Sequence, residues 1–346
     1  MELRNIIVRA TNWVGDAVMS LPALNALRER FPDARISMLA RPSIAALYER
    51  EPFCDELIRY TVAKGWKGLP EKWNAAGDLH RRKFDCAILF QNAFDAAALM
   101  WLARVPVRIG YNRDARGWLL THPIPVPSSY EVPRHQRFYY LELLKRAELI
   151  EDYSLEAFPK LFGAYAAAEK GRALFSEKGL TGPIIGVSPG AAFGGAKRWL
   201  PERFAEAAAQ IAHERGASIA IFGSKEEVAI CDVVYERVNS SGMRCVNFGG
   251  TTTLKQFIEL AAACAVYLTN DSGPMHVASA LGVPTVVIFG ATDDTATGPT
   301  GTQTRVVREP VECSPCLLRE CPIDHRCMAG VSANRVAQTA LTLLRQ

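Results

Sequence analysis

Leu268-Thr269-Asn270-Asp271-Ser272-Gly273-Pro274-Met275-His276 stands where an apolar segment, 265–268, gives way to an apolar-periodic one, 277–281. That order reads as a buried strand, a tight polar turn and a helix beginning near Gly273. The first turn of a helix leaves backbone N–H groups unpaired and carries about half a positive charge, so its mouth is a seat for phosphate. Asp271 and Ser272 are natural capping residues, and Gly273 lets a ligand approach the backbone closely. His276 falls about one turn beyond Ser272 and would point toward the same mouth. The stretch also reads as an ordinary capped strand–helix junction, and the rest of the chain has to separate the two.

Outward from it, strands and helices alternate. Strand-like apolar runs lie at 6–9, 36–40, 56–60, 86–90 and 107–111 in the first half, and at 184–188, 218–222, 266–269 and 285–289 in the second. Helical spacing connects them at 17–31, where Val18, Leu21, Leu24 and Leu27 share a face, and at 202–215, 254–264 and 275–281. Such alternation predicts doubly wound parallel sheets. Both halves open alike, with an apolar strand, a glycine-containing turn and an amphipathic helix. The expected plan is a first domain over 1–160, a linker over 161–182 inside the wider stretch 153–183, and a second domain over 183–346. Two such domains facing each other would form a cleft at the carboxyl ends of their strands, where ligands of these folds bind.

With 346 residues and 49% hydrophobic composition, the chain can build two cores. No apolar run approaches the roughly 20 residues of a membrane span. The first strand begins so early that a signal peptide has no room, which points to the cytoplasm. A net charge of +4 is too weak to argue for nucleic acid but suits anionic substrates or an anionic membrane surface. Cys54, Cys86, Cys231, Cys245 and Cys264 sit singly in apolar context, as small core residues of a reducing compartment do.

Several stretches carry candidate chemistry. Asn12-Trp13-Val14-Gly15-Asp16 follows the first strand; Asp16 reads as an N-cap or as a carboxylate placed to take a proton from a hydroxyl. Ser188-Pro189-Gly190-Ala191-Ala192-Phe193-Gly194-Gly195-Ala196-Lys197-Arg198 is a small-residue loop whose amides and two cations would suit phosphate, without a Walker or dinucleotide fingerprint. Phe222-Gly223-Ser224 is a strand-end turn that would meet a ribose or base, or simply turn. Residues 104–137 are rich in base, including Arg113, Arg116, Arg134 and His135, and would hold an anionic acceptor or form a solvated face. Cys313, Cys316, Cys321 and Cys327, with His325 among them, have ligand types that suit structural zinc. An iron–sulfur cluster, disulfides or a metal-free loop remain open for the same residues.

Taken in order, Trp13-Val14-Gly15-Asp16 with Leu21-Pro22, Pro189-Gly190-Ala191 with Ala196-Lys197-Arg198-Trp199, Phe222-Gly223-Ser224, and Thr269-Asn270-Asp271-Ser272-Gly273 with Met275-His276 resemble the bacterial ADP-heptose:lipopolysaccharide heptosyltransferases. The resemblance spans essentially the whole length and is greatest to the type II enzymes, whose phosphate loop, like Ala191-Ala192-Phe193 here, lacks the hydroxyls common elsewhere in the family. It implies a GT-B architecture, with the acceptor on the N-terminal domain and the nucleotide sugar on the C-terminal one. It also implies inverting transfer of L-glycero-D-manno-heptose from ADP-heptose to a lipid A–Kdo–heptose acceptor at the inner face of the inner membrane. By resemblance Asp16 is the general base and Lys197 contacts donor phosphate. Gly190, Ala191, Ala192, Ser224, Asp271, Ser272, Gly273 and His276 line the donor site, and Arg113, Arg116, Arg134 and His135 are expected toward the acceptor. No cofactor is expected for catalysis. The rival readings are heptosyltransferase I or another ADP-heptose-using transferase, and a non-enzymatic nucleotide-sugar-binding protein.

Overall fold

Ile6, Ile7 and Val8 are fully buried, as the central strand of a parallel sheet covered on both faces requires. The computed structural model describes residues 2–61, 68–128 and 130–345. The chain forms two compact units, Met1–Phe162 and Gly163–Gln346. In the first, β1 (Asn5–Arg9), β2 (Arg35–Ala40), β3 (Glu56–Arg59), β4 (Cys86–Leu89), β5 (Val107–Tyr111) and β6 (His122–Ile124) make a six-stranded sheet in the order β3-β2-β1-β4-β5-β6. In the second, β7 (Ile184–Ser188), β8 (Ser218–Ile221), β9 (Cys245–Asn247), β10 (Val266–Asn270), β11 (Thr285–Phe289) and β12 (Thr304–Arg308) make another, in the order β12-β11-β10-β7-β8-β9.

All recorded strand pairs are parallel. Read from its other end, the second order repeats the first, so both units have the doubly wound α/β plan that the alternation predicts. Strand order reverses between β1 and β4 in one unit and between β7 and β10 in the other, and ligands of such sheets bind beyond the strand ends at that switch. The registers set the switch strands side by side, pairing Arg9 with Leu89 and Ser188 with Thr269. Among the described residues no helix is long and apolar enough to cross a membrane.

Two expectations change. The helix expected over 17–31 is two, Val14–Met19 and Leu21–Arg30, because Pro22 cannot donate a backbone hydrogen bond and opens the second helix at its first turn. The linker expected over 161–182 is mostly the helix Ala164–Glu177, which belongs to the second unit. Its buried stripe, Ala167, Ala168, Gly171 and Phe175, packs on the helix Leu254–Ala262. A side chain at Gly171 would collide with the Glu259 carbonyl, so the two backbones touch there. The unit boundary therefore falls at Phe162, near the expected end of the first domain.

Candidate active site

In the second unit the chemistry gathers beyond β7 and β10. Asn270, fully buried at the end of β10, ties the two turns together. Its amide donates to the Pro189 carbonyl at 2.8 Å, and its side-chain oxygen accepts from the Trp199 backbone at 2.9 Å. Trp199 is itself fully buried, with its indole N–H on the Val331 carbonyl at 3.1 Å. Lys197 is thereby carried to Asp271: the ammonium reaches the carboxylate at 2.5 Å, with side-chain exposures of only 13% and 5%. The Thr292 hydroxyl donates to the same carboxylate oxygen at 2.5 Å. Lys197 also lies over the Phe193 ring, 4.7 Å from its centre. A cation and an anion held this far from water are oriented by each other, and losing either leaves the other uncompensated.

Ser272 is the N-cap of the helix Gly273–Ala280, as the turn reading predicts, but its side chain makes no capping bond. Its hydroxyl donates to the Asn270 carbonyl at 3.2 Å instead. The helix's first amides are thus not covered by the cap side chain. His276 is buried within the helix's second turn. Gly190 and Ala191 follow β7 and are buried, whereas Ala192 is exposed. A side chain at Gly190 would collide with the Glu227 carboxylate, which accepts from the Ser224 backbone at 2.9 Å in a capping box. Ser224 therefore does local helix-starting work, and its exposed side chain is at the strand-end rim. Arg198 turns back onto the Ala191 carbonyl at 3.2 Å, so it braces the loop rather than adding charge to it.

In the first unit Asp16 lies in the first turn of the helix Val14–Met19, whose N-cap is Trp13. Capping is thus not its task. Burial pushes its carboxyl above the usual carboxylate range, opposed by the Tyr140 hydroxyl donating to it. Tyr140 is buried against Phe90 and Tyr139, and its own proton is held well past the ordinary phenol range by burial and by the Asp16 charge. No ion pair involving Asp16 is found among the described residues. A carboxylate raised this way is a better proton acceptor than an exposed one. Sequence reasoning missed Tyr140, which stands far along the chain in an aromatic run that reads as core.

Comparison with known proteins places this arrangement. Residues 73–326 match the model of glycosyltransferase family 9 (heptosyltransferase). The chain belongs to that family. It is 32% identical over 310 residues to the lipooligosaccharide heptosyltransferase 2 of Haemophilus ducreyi, covering 88% of each. It is also 32% identical over 310 residues to the lipopolysaccharide heptosyltransferase 2 of Salmonella typhimurium, covering 88% of this chain and 87% of that one. Among solved structures, the ADP-heptose lipopolysaccharide heptosyltransferase II of E. coli superimposes with a TM-score of 0.83 at 28% identity, over 99% of both chains. The fold is GT-B-like and the protein is a glycosyltransferase.

Within this family member, the basic stretch is not the uniform anion surface its composition suggests. Arg116 is fully buried. Its guanidinium donates to the Tyr111 carbonyl at 3.0 Å, to the Asn92 side-chain oxygen at 2.8 Å and to the Gln91 carbonyl. Burial lowers its pKa to about 10, so it stays charged at neutral pH but is committed to the fold. The expectation that Arg116 contacts acceptor is therefore corrected: it braces the turn after β4. His135 accepts from the Arg137 backbone at 3.1 Å, at the start of the helix Arg137–Arg146. Arg113, beside Asp114, and Arg134 are exposed.

The cysteine-rich tail folds onto the lysine loop. The Glu320 carboxylate accepts from the Gly195 backbone at 2.9 Å, and the Arg319 carbonyl from Ala196 at 2.9 Å. His325 places its Nε2 3.0 Å from the Ala196 carbonyl, a contact that orients the ring on the lysine loop. Cys313, Cys316, Cys321 and Cys327 are free thiols. They are neighbours: the Cys327 thiol is raised first by burial and then by the charges of the other three. Among the described residues, however, no group of three or more His, Cys, Asp or Glu side chains is placed to hold a metal ion, so the thiols as they stand do not fit zinc.

Proposed function

We propose that this chain transfers L-glycero-D-manno-heptose from ADP-heptose to the heptose-bearing inner core of lipopolysaccharide, with inversion at the anomeric carbon. The reading rests above all on one observation. The two groups the chemistry needs, a raised carboxyl at Asp16 and a water-shielded cation at Lys197, stand each beyond the first strand of its sheet, in a chain of heptosyltransferase family.

In this reading the acceptor hydroxyl gives its proton to Asp16 as its oxygen bonds to the anomeric carbon. The bond from that carbon to the phosphate oxygen breaks, and ADP leaves with the electron pair. Attack opposite the leaving group inverts the centre. The charge gathering on the departing phosphate is met by Lys197 and by the positive end of the helix Gly273–Ala280. Asp271, itself held by the Thr292 hydroxyl, orients the ammonium. The loop 191–193, which carries no hydroxyl, meets the donor through its backbone, and the similarity to heptosyltransferase 2 enzymes supports the type II acceptor, a lipid A–Kdo–heptose. Such an acceptor presents dense negative charge on a lipid anchor, so the enzyme works peripherally at an anionic membrane face on the cytoplasmic side. Incubation of purified protein with ADP-heptose and defined core acceptors tests this. One heptose added to the heptose-bearing acceptor is expected; transfer only to the heptose-free core would assign it to the type I reaction instead.

A further inference from the structure

A second feature of the first unit lies at the carboxyl ends of β1 to β4. A pocket of about 270 Å³ opens there, lined by Arg9, Arg41, Tyr60, Lys72, Gln91 and Phe94 with their neighbours. Arg9 closes β1 and is 2% exposed. Its guanidinium donates only to neutral acceptors: the Ala10 carbonyl at 2.8 Å, the Leu39 carbonyl at 3.2 Å and the Asn12 side-chain oxygen at 3.1 Å. It also lies against the Tyr60 ring, 5.5 Å from its centre. No carboxylate among the described residues pairs with Arg9 or with Arg41, which follows β2 and is exposed. Lys72, by contrast, is bound by Asp95 through both carboxylate oxygens at 2.9 Å. Among the described residues the pocket thus holds two cations without a paired carboxylate, one of them buried and close enough to be disfavoured by the other's charge. Burying an unpaired charge is costly, and two like charges at one site raise that cost further. The Gln91 carbonyl accepts from the buried Arg116, which holds the backbone of that part of the wall. Phe94 offers an apolar face, 43% exposed, of the kind a sugar ring packs on.

We infer that this pocket receives one oxyanion of the acceptor saccharide, a carboxylate or a phosphate monoester, between Arg9 and Arg41, with the sugar ring that bears it against Phe94. The inference rests on the heptosyl-transfer reading for its occupant, and on the charge and shape of the pocket for its chemistry. The volume lies at the small end of ligand sites, which run from about 300 Å³, and suits one acidic sugar rather than an oligosaccharide. It also moves the main acceptor contact away from Arg113 and Arg134 and to the strand ends beside the Asp16 turn.

The test uses the full chain, ADP-heptose and three forms of one inner-core oligosaccharide: intact, carboxyl-reduced and dephosphorylated. Arg41→Gln should raise the KM for the intact acceptor by about tenfold, the scale of one charge-assisted hydrogen bond, and leave the KM for ADP-heptose unchanged. The penalty should vanish with the acceptor that lacks the bound group, carboxyl-reduced or dephosphorylated, and this identifies the oxyanion. Arg9→Lys, which keeps the buried charge, should show a smaller penalty of the same pattern. An unchanged KM, or an equal penalty on all three acceptors, overturns the inference. If the wild-type protein transfers no heptose, the functional reading fails by itself. Calorimetric titration with the same three oligosaccharides then decides the pocket, since equal affinity of wild type and Arg41→Gln for the intact one overturns it.

Discussion

The turns that follow β1 and β7 occupy the same place in two sheets of the same strand order, yet they treat charge in opposite ways. Beyond β1, Asp16 is half-buried with a neutral phenol as its partner, and its carboxyl is raised. Beyond β7, Lys197 is matched by the opposite charge of Asp271 at 2.5 Å. A base that must gain a proton works best when its charged form is slightly disfavoured. A cation that must meet phosphate works best when already held in place, because no reorganisation is then needed as charge develops. On the proposed reading, one fold plan serves proton transfer in one unit and charge stabilisation in the other.

The largest effect expected from breaking this contrast is at Asp16. Asp16→Ala should lower kcat by about a hundredfold or more, the scale for losing a general base, with ADP-heptose affinity unchanged by calorimetry. Lys197→Ala should come next, slowing transfer by about ten- to a hundredfold and weakening donor binding together. It should also lower the thermal midpoint, because the buried Asp271 carboxylate loses its cation. The double variant Lys197→Met, Asp271→Asn should recover much of that stability and none of the turnover; recovery of both would make the pair structural.

Smaller effects sharpen the first unit's side. Tyr140 holds the Asp16 carboxyl down against burial, so Tyr140→Phe should let it rise further. Less carboxylate is then present at a given pH, and the acidic limb of the rate profile should move to higher pH, with a loss on the order of fivefold on its slope. An unmoved limb would disconnect Tyr140 from the reaction. Charge reversal at Arg113 and Arg134, both exposed, should raise the acceptor KM by only a few-fold and flatten its salt dependence. Arg116→Ala should act through stability instead, since its three backbone and side-chain acceptors lose their donor.

Much of this was legible from the chain. The eight central strands are apolar runs, as parallel sheets demand, and they and the edge strand β3 stand where the pattern puts them. The edge strands β6, β9 and β12 escaped it: His122–Ile124 contains Pro123, Cys245–Asn247 is short, and Thr304–Arg308 is only partly buried with arginines in it. Edge strands need less apolar surface, so they leave less pattern. The turns that carry Asp16, Lys197 and Asp271 were visible because each follows an apolar strand, and the structure joins Lys197 to Asp271. Their partners were not. Tyr140 and Thr292 are ordinary core and loop residues until the fold sets them against a carboxylate. Arg116 reads as a surface cation until three acceptors converge on it, and the tail cysteines have metal-like spacing without a ligand set among the described residues.

The central claim, that Asp16 is the raised base for heptosyl transfer, is tested most directly by kcat against pH with saturating ADP-heptose and heptose-bearing acceptor. A rate that climbs through a single acidic limb above the ordinary carboxylate range is predicted, with Asp16→Asn at or below about one hundredth of the wild-type plateau and without that limb. A profile that is flat through that region, or an Asp16→Asn enzyme turning over at the wild-type rate, would contradict it.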